Sequence, residues 1–153
     1  RDQPRSRGLG DVYKRQGPYS RLQLKQYIEQ TQNDLFADRQ LRLMIENGNR
    51  QVVGIVDLCS FDPLHNRAEV GIMVDKSCRR QGIGRNALAL LEEHCFRYLG
   101  IHQLFAYIAV ENLPSRRLFA ACGYKESAVL KEWAHTFGGG YTDVLVVQKL
   151  NLS

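Results

Sequence analysis

No apolar run in this 153-residue sequence approaches the roughly 18 residues of a membrane-spanning helix, so no transmembrane segment is expected. No basic stretch leads into an apolar one near the start, so no secretory signal is expected either. Cys59, Cys78, Cys95 and Cys122 include no Cys-x-x-Cys pair, which removes zinc-ribbon and dithiol-redox readings. Cys59 and Cys95 lie in apolar stretches, where a free thiol behaves as a small buried hydrophobe. A reducing, cytoplasmic setting is therefore the expectation. His65, His94, His102 and His135 are scattered, with no spacing that suits a metal. No internal repeat is visible.

Hydrophobic residues make up 44% of the chain and charged residues 24%, the composition of one ordinary globular domain. The formal net charge of +5 is unevenly placed. Residues 1–16 hold Arg1, Arg5, Arg7, Lys14 and Arg15 against Asp2 and Asp11, and the remainder is nearly balanced. The basic pI of 9.2 thus says little about partners. Residues 1–16 show no sustained period and no initiator Met. They read as a flexible basic tail or as a non-native leader, and a single domain is expected over 17–153.

Ser20 and Gln23 have capping-box spacing, and Leu24, Tyr27 and Ile28 share a helical face, so a helix is expected over about 20–33. Leu41, Leu43 and Ile45 alternate with Arg42, Met44 and Glu46, the period of a half-buried strand. Asn47-Gly48 signals a hairpin. Val52 to Phe61 is the returning strand, with Gly54 a candidate bulge. After a turn opened by Asp62-Pro63, Ala68 to Asp75 makes a third strand. The pattern then changes. Gly84 to Leu99 places Ala87, Leu88, Leu91, Cys95 and Leu99 at helical spacing, with Gly100 as the stop. Gln103 to Val110 is a strand, Pro114 opens a short helix that ends at Gly123, and 126–135 and 141–150 are two more strands. This order predicts an α/β fold with a mixed sheet. Within it, strand 68–75, helix 84–99 and strand 103–110 should form a right-handed parallel crossover.

Val74-Asp75-Lys76-Ser77-Cys78-Arg79-Arg80-Gln81-Gly82-Ile83-Gly84-Arg85 carries the chain from a strand end into a helix start. The unpaired N–H groups and positive dipole end of such a helix suit an anion. The glycines let backbone approach it closely, and Arg79, Arg80 and Arg85 add charge. A pyrophosphate is one occupant of this geometry, and a basic turn without a ligand is the alternative. The pattern is not GxxxxGK[ST], so it is no P-loop. It has two of the three Rossmann glycines and no early βαβ unit, so dinucleotide binding is weakly supported.

Downstream stands Asn112-x-x-Ser115-x-x-Leu118-Phe119-x-x-x-Gly123-Tyr124. Arg79-x-x-Gly82-x-Gly84 resembles the acetyl-CoA pyrophosphate motif of the GNAT family of N-acetyltransferases, and the downstream stretch resembles that family's second motif. Phe61-Asp62-Pro63 before Asn66-Arg67-Ala68-Glu69-Val70-Gly71-Ile72 looks like the spermidine and diamine acetyltransferase branch. So do Leu130-Lys131-Glu132 and Pro18-Tyr19-Ser20. The likeness covers roughly 17–150.

The resemblance implies a GNAT-like acyl-CoA N-acyltransferase fold, an α+β mixed sheet whose central strands 68–75 and 103–110 splay to admit the cosubstrate acetyl-CoA. The backbone of Met73 and Val74 would bond the pantetheine. The amides of Gln81, Gly82, Ile83, Gly84 and Arg85, beside Arg79 and Arg80, would hold the pyrophosphate. Asn112 and Ser115 would contact the pantetheine or its thiol end. Read without the resemblance, Asn112 is a turn residue and Ser115 a helix cap.

The implied chemistry is direct acetyl transfer from a thioester to a neutral amine. Positioning supplies part of the acceleration, and an N–H on the thioester carbonyl, with Val74 the candidate donor, supplies more. Glu69 is the candidate base; a surface carboxylate on an exposed strand face is the alternative. Phe119 stands where the family carries the Tyr that protonates the departing thiolate, which Phe cannot do. Water, the amine, or another phenol, Tyr107 or Tyr124, would have to replace it. The family's opening strand and helix have no counterpart before 20–33, so an uncovered edge is expected at 40–46.

The leading expectation is an acetyl-CoA-dependent N-acetyltransferase acting on a small-molecule primary amine, a polyamine or diamine such as spermidine. Asp57, Asp62 and Glu69 are acids available to a polycation. A protein N-terminal acetyltransferase of the ribosomal-protein type is the alternative acceptor class, and a non-catalytic CoA-binding module is the alternative without chemistry. The Arg cluster has no aromatic platform or recognition-helix pattern, so no nucleic-acid partner is expected. No membrane partner is expected, and a homo-oligomer is left open. Trp133, Phe137 and Tyr141 fit an acceptor or dimer surface as well as ordinary edge packing.

Overall fold

The alternating and helical periods of the sequence reappear in a computed structural model that describes residues 22–26, 34–79 and 82–152. Strands β1 (Gln23–Gln26), β2 (Leu41–Glu46), β3 (Val52–Asp62) and β4 (Arg67–Val74) pair antiparallel in succession. β5 (Gln103–Ala109) lies parallel to β4, and β6 (Lys125–His135) and β7 (Tyr141–Leu150) complete a seven-stranded sheet of order β1-β2-β3-β4-β5-β7-β6. The helices are α1 (Leu35–Asp38), α2 (Ile83–Glu92), which continues as the π-helical turn Glu93–Tyr98, and α3 (Leu113–Ala121). β4, α2 and β5 form a parallel crossover, as predicted. Among the described residues no helix is long and apolar enough to cross a membrane.

One expectation is corrected at the N-terminal end. Gln23–Gln26 is a strand, paired with β2 through Leu24↔Ile45 and Gln26↔Leu43. Leu24 and Ile45 are both fully buried, so tertiary burial of one side chain outweighs the local capping-box signal. Ser20, Tyr27 and Ile28, which defined the expected helix, lie outside the described residues. The same pairing overturns the uncovered edge expected at 40–46, because β1 covers β2.

Alternation directs one face of the sheet inward. Leu43, Val56, Leu58, Ala68, Leu104 and Ala106 are buried there with Ala87, Leu88 and Leu91 of α2 and Cys95 of the π-helical turn. Each fully buried Leu contributes roughly 1.5–3 kcal/mol relative to exposure. The hairpin signalled by Asn47-Gly48 is present between β2 and β3. The Asn47 side chain accepts the amides of Asn49 and Gln51, and Arg50 takes the left-handed conformation at φ 63°. The register slips between Ile45 and Glu46, where Gly54 faces Ile45. A Cβ at Gly54 would stand 2.5 Å from the Met73 carbonyl oxygen, so glycine is required by the close strand approach as well as by the bulge.

β4 and β5 pair only through Arg67↔Gln103, Ala68↔Leu104 and Glu69↔Phe105. Beyond these residues β4 stays with β3 and β5 stays with β7, so the two central strands part. α2 starts above the end of one and α3 above the end of the other.

Candidate active site

The parting leaves two strand edges facing each other without a ladder between them. On β4, the Asp75 amide donates to the Val53 carbonyl at 2.9 Å, extending the β3 ladder. An antiparallel ladder alternates, so Asp75, Met73 and Gly71 turn their backbone groups to β3, and Ile72 and Val74 turn theirs to the gap. The Val74 carbonyl accordingly accepts the Arg79 Nε–H at 3.3 Å rather than a β3 amide. The Val74 backbone therefore faces the gap and not β3. The Met73 expectation is corrected: its backbone faces Ile55, and Ile72 is the second residue whose amide faces the gap.

Above Val74, Lys76–Cys78 makes one 3-10 turn and Gly82 precedes α2 at φ 76° and ψ 7°. That left-handed geometry is open to glycine and costly for other residues. The first turn of α2 contains no acid, so nothing on the helix neutralises its positive end. The Asn86 amide already bonds the Gly82 carbonyl, and the amides of Ile83, Gly84 and Arg85 have no partner among the described residues, as expected of donors at a helix start. The expected contributions of Arg80 and Gln81 lie outside the described residues. Gly84 has a packing role that the sequence did not disclose. A Cβ there would stand 3.1 Å from Leu118 Cδ2, so the missing side chain lets α3 close on α2.

Asn112 and Ser115 meet at the start of α3, with Asn112 as the cap. Its Oδ1 accepts the Ser115 amide at 3.2 Å, and its side-chain NH₂ remains to donate. Ser115 is therefore the capped residue, not the cap that its sequence position also allowed. Phe119 lies in the core at 3% exposure, edge-to-face on Tyr124 with ring centroids 4.9 Å apart. Its ring is packed away from solvent instead of lining an open cleft.

Tyr124 is equally enclosed. Burial, reinforced by the Glu92 carboxylate, pushes its phenol well above the ordinary tyrosine value. That removes Tyr124 as a ready proton donor. Tyr107 differs: it is 45% exposed, on the face of the sheet opposite α2, edge-to-face with Phe105.

Glu69 is the last β4 residue paired to β5, and its side chain lies on that same open face. Asp57 and Arg42 form a two-point ion pair there, both contacts at 2.8 Å, and Lys25 and Glu46 approach to 3.6 Å. Glu69 has the Ser60 hydroxyl at 3.5 Å and no cationic partner among the described residues. Asp62 is held by its own turn, accepting the Leu64 and His65 amides at 3.0 Å each, and the His65 bond leads in lowering its carboxyl below the usual range. Of the three acids considered from sequence, only Glu69 faces the parting strands without a cation. Cys59 on β3 is its pairing partner, and burial first, then Glu69, pushes that thiol up to about 11, so it stays protonated at neutral pH.

Sequence reading missed Glu92 and Lys149. Lys149 Nζ donates to Glu92 Oε1 and to the Cys122 carbonyl, both at 2.6 Å. This pair lies at one end of a cleft of about 490 Å³ that runs from Gly82, Arg85 and Asn86 past Ala89 to Cys122. Burial raises the Glu92 carboxyl above its ordinary value, with Lys149 opposing. The signal available was a carboxylate within the α2 stripe of Leu88, Leu91 and Cys95. Among the described residues no cluster of His, Cys, Asp or Glu could hold a metal.

Comparison with known proteins places this geometry. The acetyltransferase (GNAT) domain family matches residues 5–125. The spermidine N(1)-acetyltransferase of Vibrio cholerae is 27% identical over 103 residues, covering 67% of this chain and 59% of that protein. An N-acetyltransferase 9-like protein of Nematostella vectensis is 31% identical over 128 residues, covering 73% of this chain and 64% of its own length. The chain thus spans about three fifths of these relatives. A dodecameric structure of spermidine N-acetyltransferase from Vibrio cholerae superimposes with a TM-score of 0.71 at 25% identity, covering 76% of this chain and 68% of that one. The parted strands, the glycine-led helix start and the matched residues agree, and the chain belongs to the GNAT acetyltransferase family.

Proposed function

We propose that this chain transfers an acetyl group from acetyl-CoA to a primary amine. The observation that carries the reading is the parting of β4 and β5 beyond Glu69, beneath a helix start led by a left-handed Gly82. The residues present fit acetyl-CoA: the gap presents unladdered amides at Ile72 and Val74, and α2 offers unsatisfied donors with no competing acid. Acetyl-CoA supplies the activated thioester. Ile72 and Val74 hold the pantetheine by backbone bonds, and the Val74 amide is the candidate donor to the thioester carbonyl. Amides from Gln81 to Arg85, with Arg79 and Arg80, hold the pyrophosphate. The Asn112 side-chain amide and the Ser115 hydroxyl contact the pantetheine at the open end of the gap.

An alkylamine is mostly protonated at neutral pH and must lose a proton before attack. Glu69 is the base that takes it, directly or through water, because no cation among the described residues pairs with it. Phe119 has no proton to give and Tyr124 is enclosed, so the proton returns to the thiolate from water, from the attacking amine or from the exposed Tyr107.

The spermidine-acetylating relative supports a polyamine or diamine as the acceptor class, and Glu69 is an acid suited to it. The dodecameric relative supports a homo-oligomer. Four free cysteines suit a cytoplasmic setting. One acetyltransferase domain over 17–153 is the corresponding organisation.

The test is a panel of amines with acetyl-CoA and detection of released thiol, alongside calorimetric titration with CoA. Thiol release with a polyamine supports the reading. CoA binding with no release on any amine would assign a non-catalytic binding module, the reading favoured by Phe119 in the core. Absence of CoA binding would refute both.

A further inference from the structure

Arg116 has no part in the chemistry above, yet it is bonded to the turn on which that chemistry depends. Its Nη1 donates to the Val110 carbonyl at 2.8 Å, and its Nη2 reaches Glu126 Oε2 on β6 at 3.3 Å. The Val110 amide donates to the Asp143 carbonyl on β7 at 3.0 Å. Both backbone groups of the first residue beyond β5 are therefore taken, one by the sheet and one by the helix that follows. The turn continues with the Asn112 amide on the Ala109 carbonyl and the Leu113 amide on the Glu111 carbonyl, each at 2.9 Å. It ends in the Asn112 cap on Ser115. A guanidinium can serve a carbonyl and a carboxylate at once through its planar fork, which a lysine ammonium does less well. Arg117, the next residue, is exposed and makes neither contact.

We propose that Arg116 is a positioning residue. It bridges α3 and β6 to the Val110 carbonyl, fixes the turn from β5 into α3, and so sets the direction in which Asn112 faces the parted strands. The turn's use in holding CoA rests on the acetyl-transfer reading; the clamp itself does not.

The first measurement therefore uses the ligand-free chain. Amide hydrogen exchange in Arg116→Met should speed by roughly tenfold or more at Asn112 and Leu113, with Leu88 and Leu104 in the core unchanged, because only the local opening becomes easier. Arg117→Met should match the parent. Arg116→Lys should fall between, and it carries the test if Arg116→Met does not fold. Unchanged exchange at Asn112 and Leu113 would overturn the clamp.

The second measurement is a double-mutant cycle on the CoA Kd. Arg116→Met should weaken binding about fivefold through loss of a charged hydrogen-bond donor, with kcat at saturating acetyl-CoA within twofold of the parent. Its effect should be largely absent when Asn112 is already Ala. Full additivity would overturn the claim that Arg116 acts through Asn112. A parent that binds no CoA would refute the acetyl-transfer reading, and hydrogen exchange alone would then decide the clamp.

Discussion

Replacing Gly82 tests the anion site at its narrowest point. Its φ of 76° and ψ of 7° lie in the left-handed region. An L side chain there costs roughly 1–2 kcal/mol, and a β-branched one is disfavoured further. Gly82→Val must either carry this strain or leave the left-handed region. Carrying it should lower the melting temperature by about 2–4 °C per kcal/mol for a domain of this size. Leaving it reorients the amides of Ile83 and Gly84, and the CoA affinity should then fall at least about tenfold, a loss near 1.4 kcal/mol.

Gly84→Ala is the control. A positive φ is not its constraint; a Cβ would meet Leu118 Cδ2 at 3.1 Å, so it should loosen α2 against α3 and affect stability more than CoA binding. The assay is calorimetric titration with CoA beside thermal unfolding of each variant. A Gly82→Val protein that melts like the parent, and so has left the left-handed region, yet binds CoA like the parent would refute the assignment of this loop to phosphate.

Glu69→Gln keeps the shape but cannot accept a proton, so acetylation at neutral pH should fall by about 10²-fold or more, with CoA Kd unchanged; steady-state rates within twofold would return Glu69 to a surface role. Phe119→Tyr places a hydroxyl in the core beside Tyr124, so it should destabilise by about 1–3 kcal/mol and give no gain in turnover; faster thiol release would show that this ring reaches the reacting atoms. Lys149→Met leaves the buried Glu92 carboxylate without its cation, and because Lys149 is itself partly exposed the cost should be about 2–3 kcal/mol rather than the full penalty of a broken buried pair; equilibrium unfolding in urea measures it, and the Lys149→Met, Glu92→Leu double variant should recover most of the loss.

Much of the fold was readable where side-chain period reports burial directly. Leu41, Leu43 and Ile45 alternate in sequence and are buried in alternation in β2, and the α2 stripe of Ala87, Leu88, Leu91 and Cys95 is the face that covers the sheet. The four-residue β1 could not show a period, and its assignment depends on Leu24 meeting Ile45 across a strand pair. The choice of Ile72 over Met73 as the amide facing the gap belongs to ladder parity, which begins with a bond from Asp75 to Val53.

Gly82 was legible because one glycine before a helix has a backbone meaning of its own. The packing role of Gly84 needed Leu118, a contact between helices. Glu92 and Lys149 are 57 positions apart and meet only when β7 lies beside α2. Phe119 was legible as a departure from the family's pattern, but its enclosure by Tyr124 was not.

The most direct test of the account is thiol release from acetyl-CoA by the full chain at neutral pH with spermidine and with putrescine, parent against Glu69→Gln. The account predicts release that requires both acetyl-CoA and amine, that yields the acetylated amine by mass, and that is lost in Glu69→Gln although CoA still binds. Amine-dependent release that persists unchanged in Glu69→Gln would contradict the assigned base. CoA binding with no acetylated amine from either acceptor or the wider amine panel would contradict the central claim.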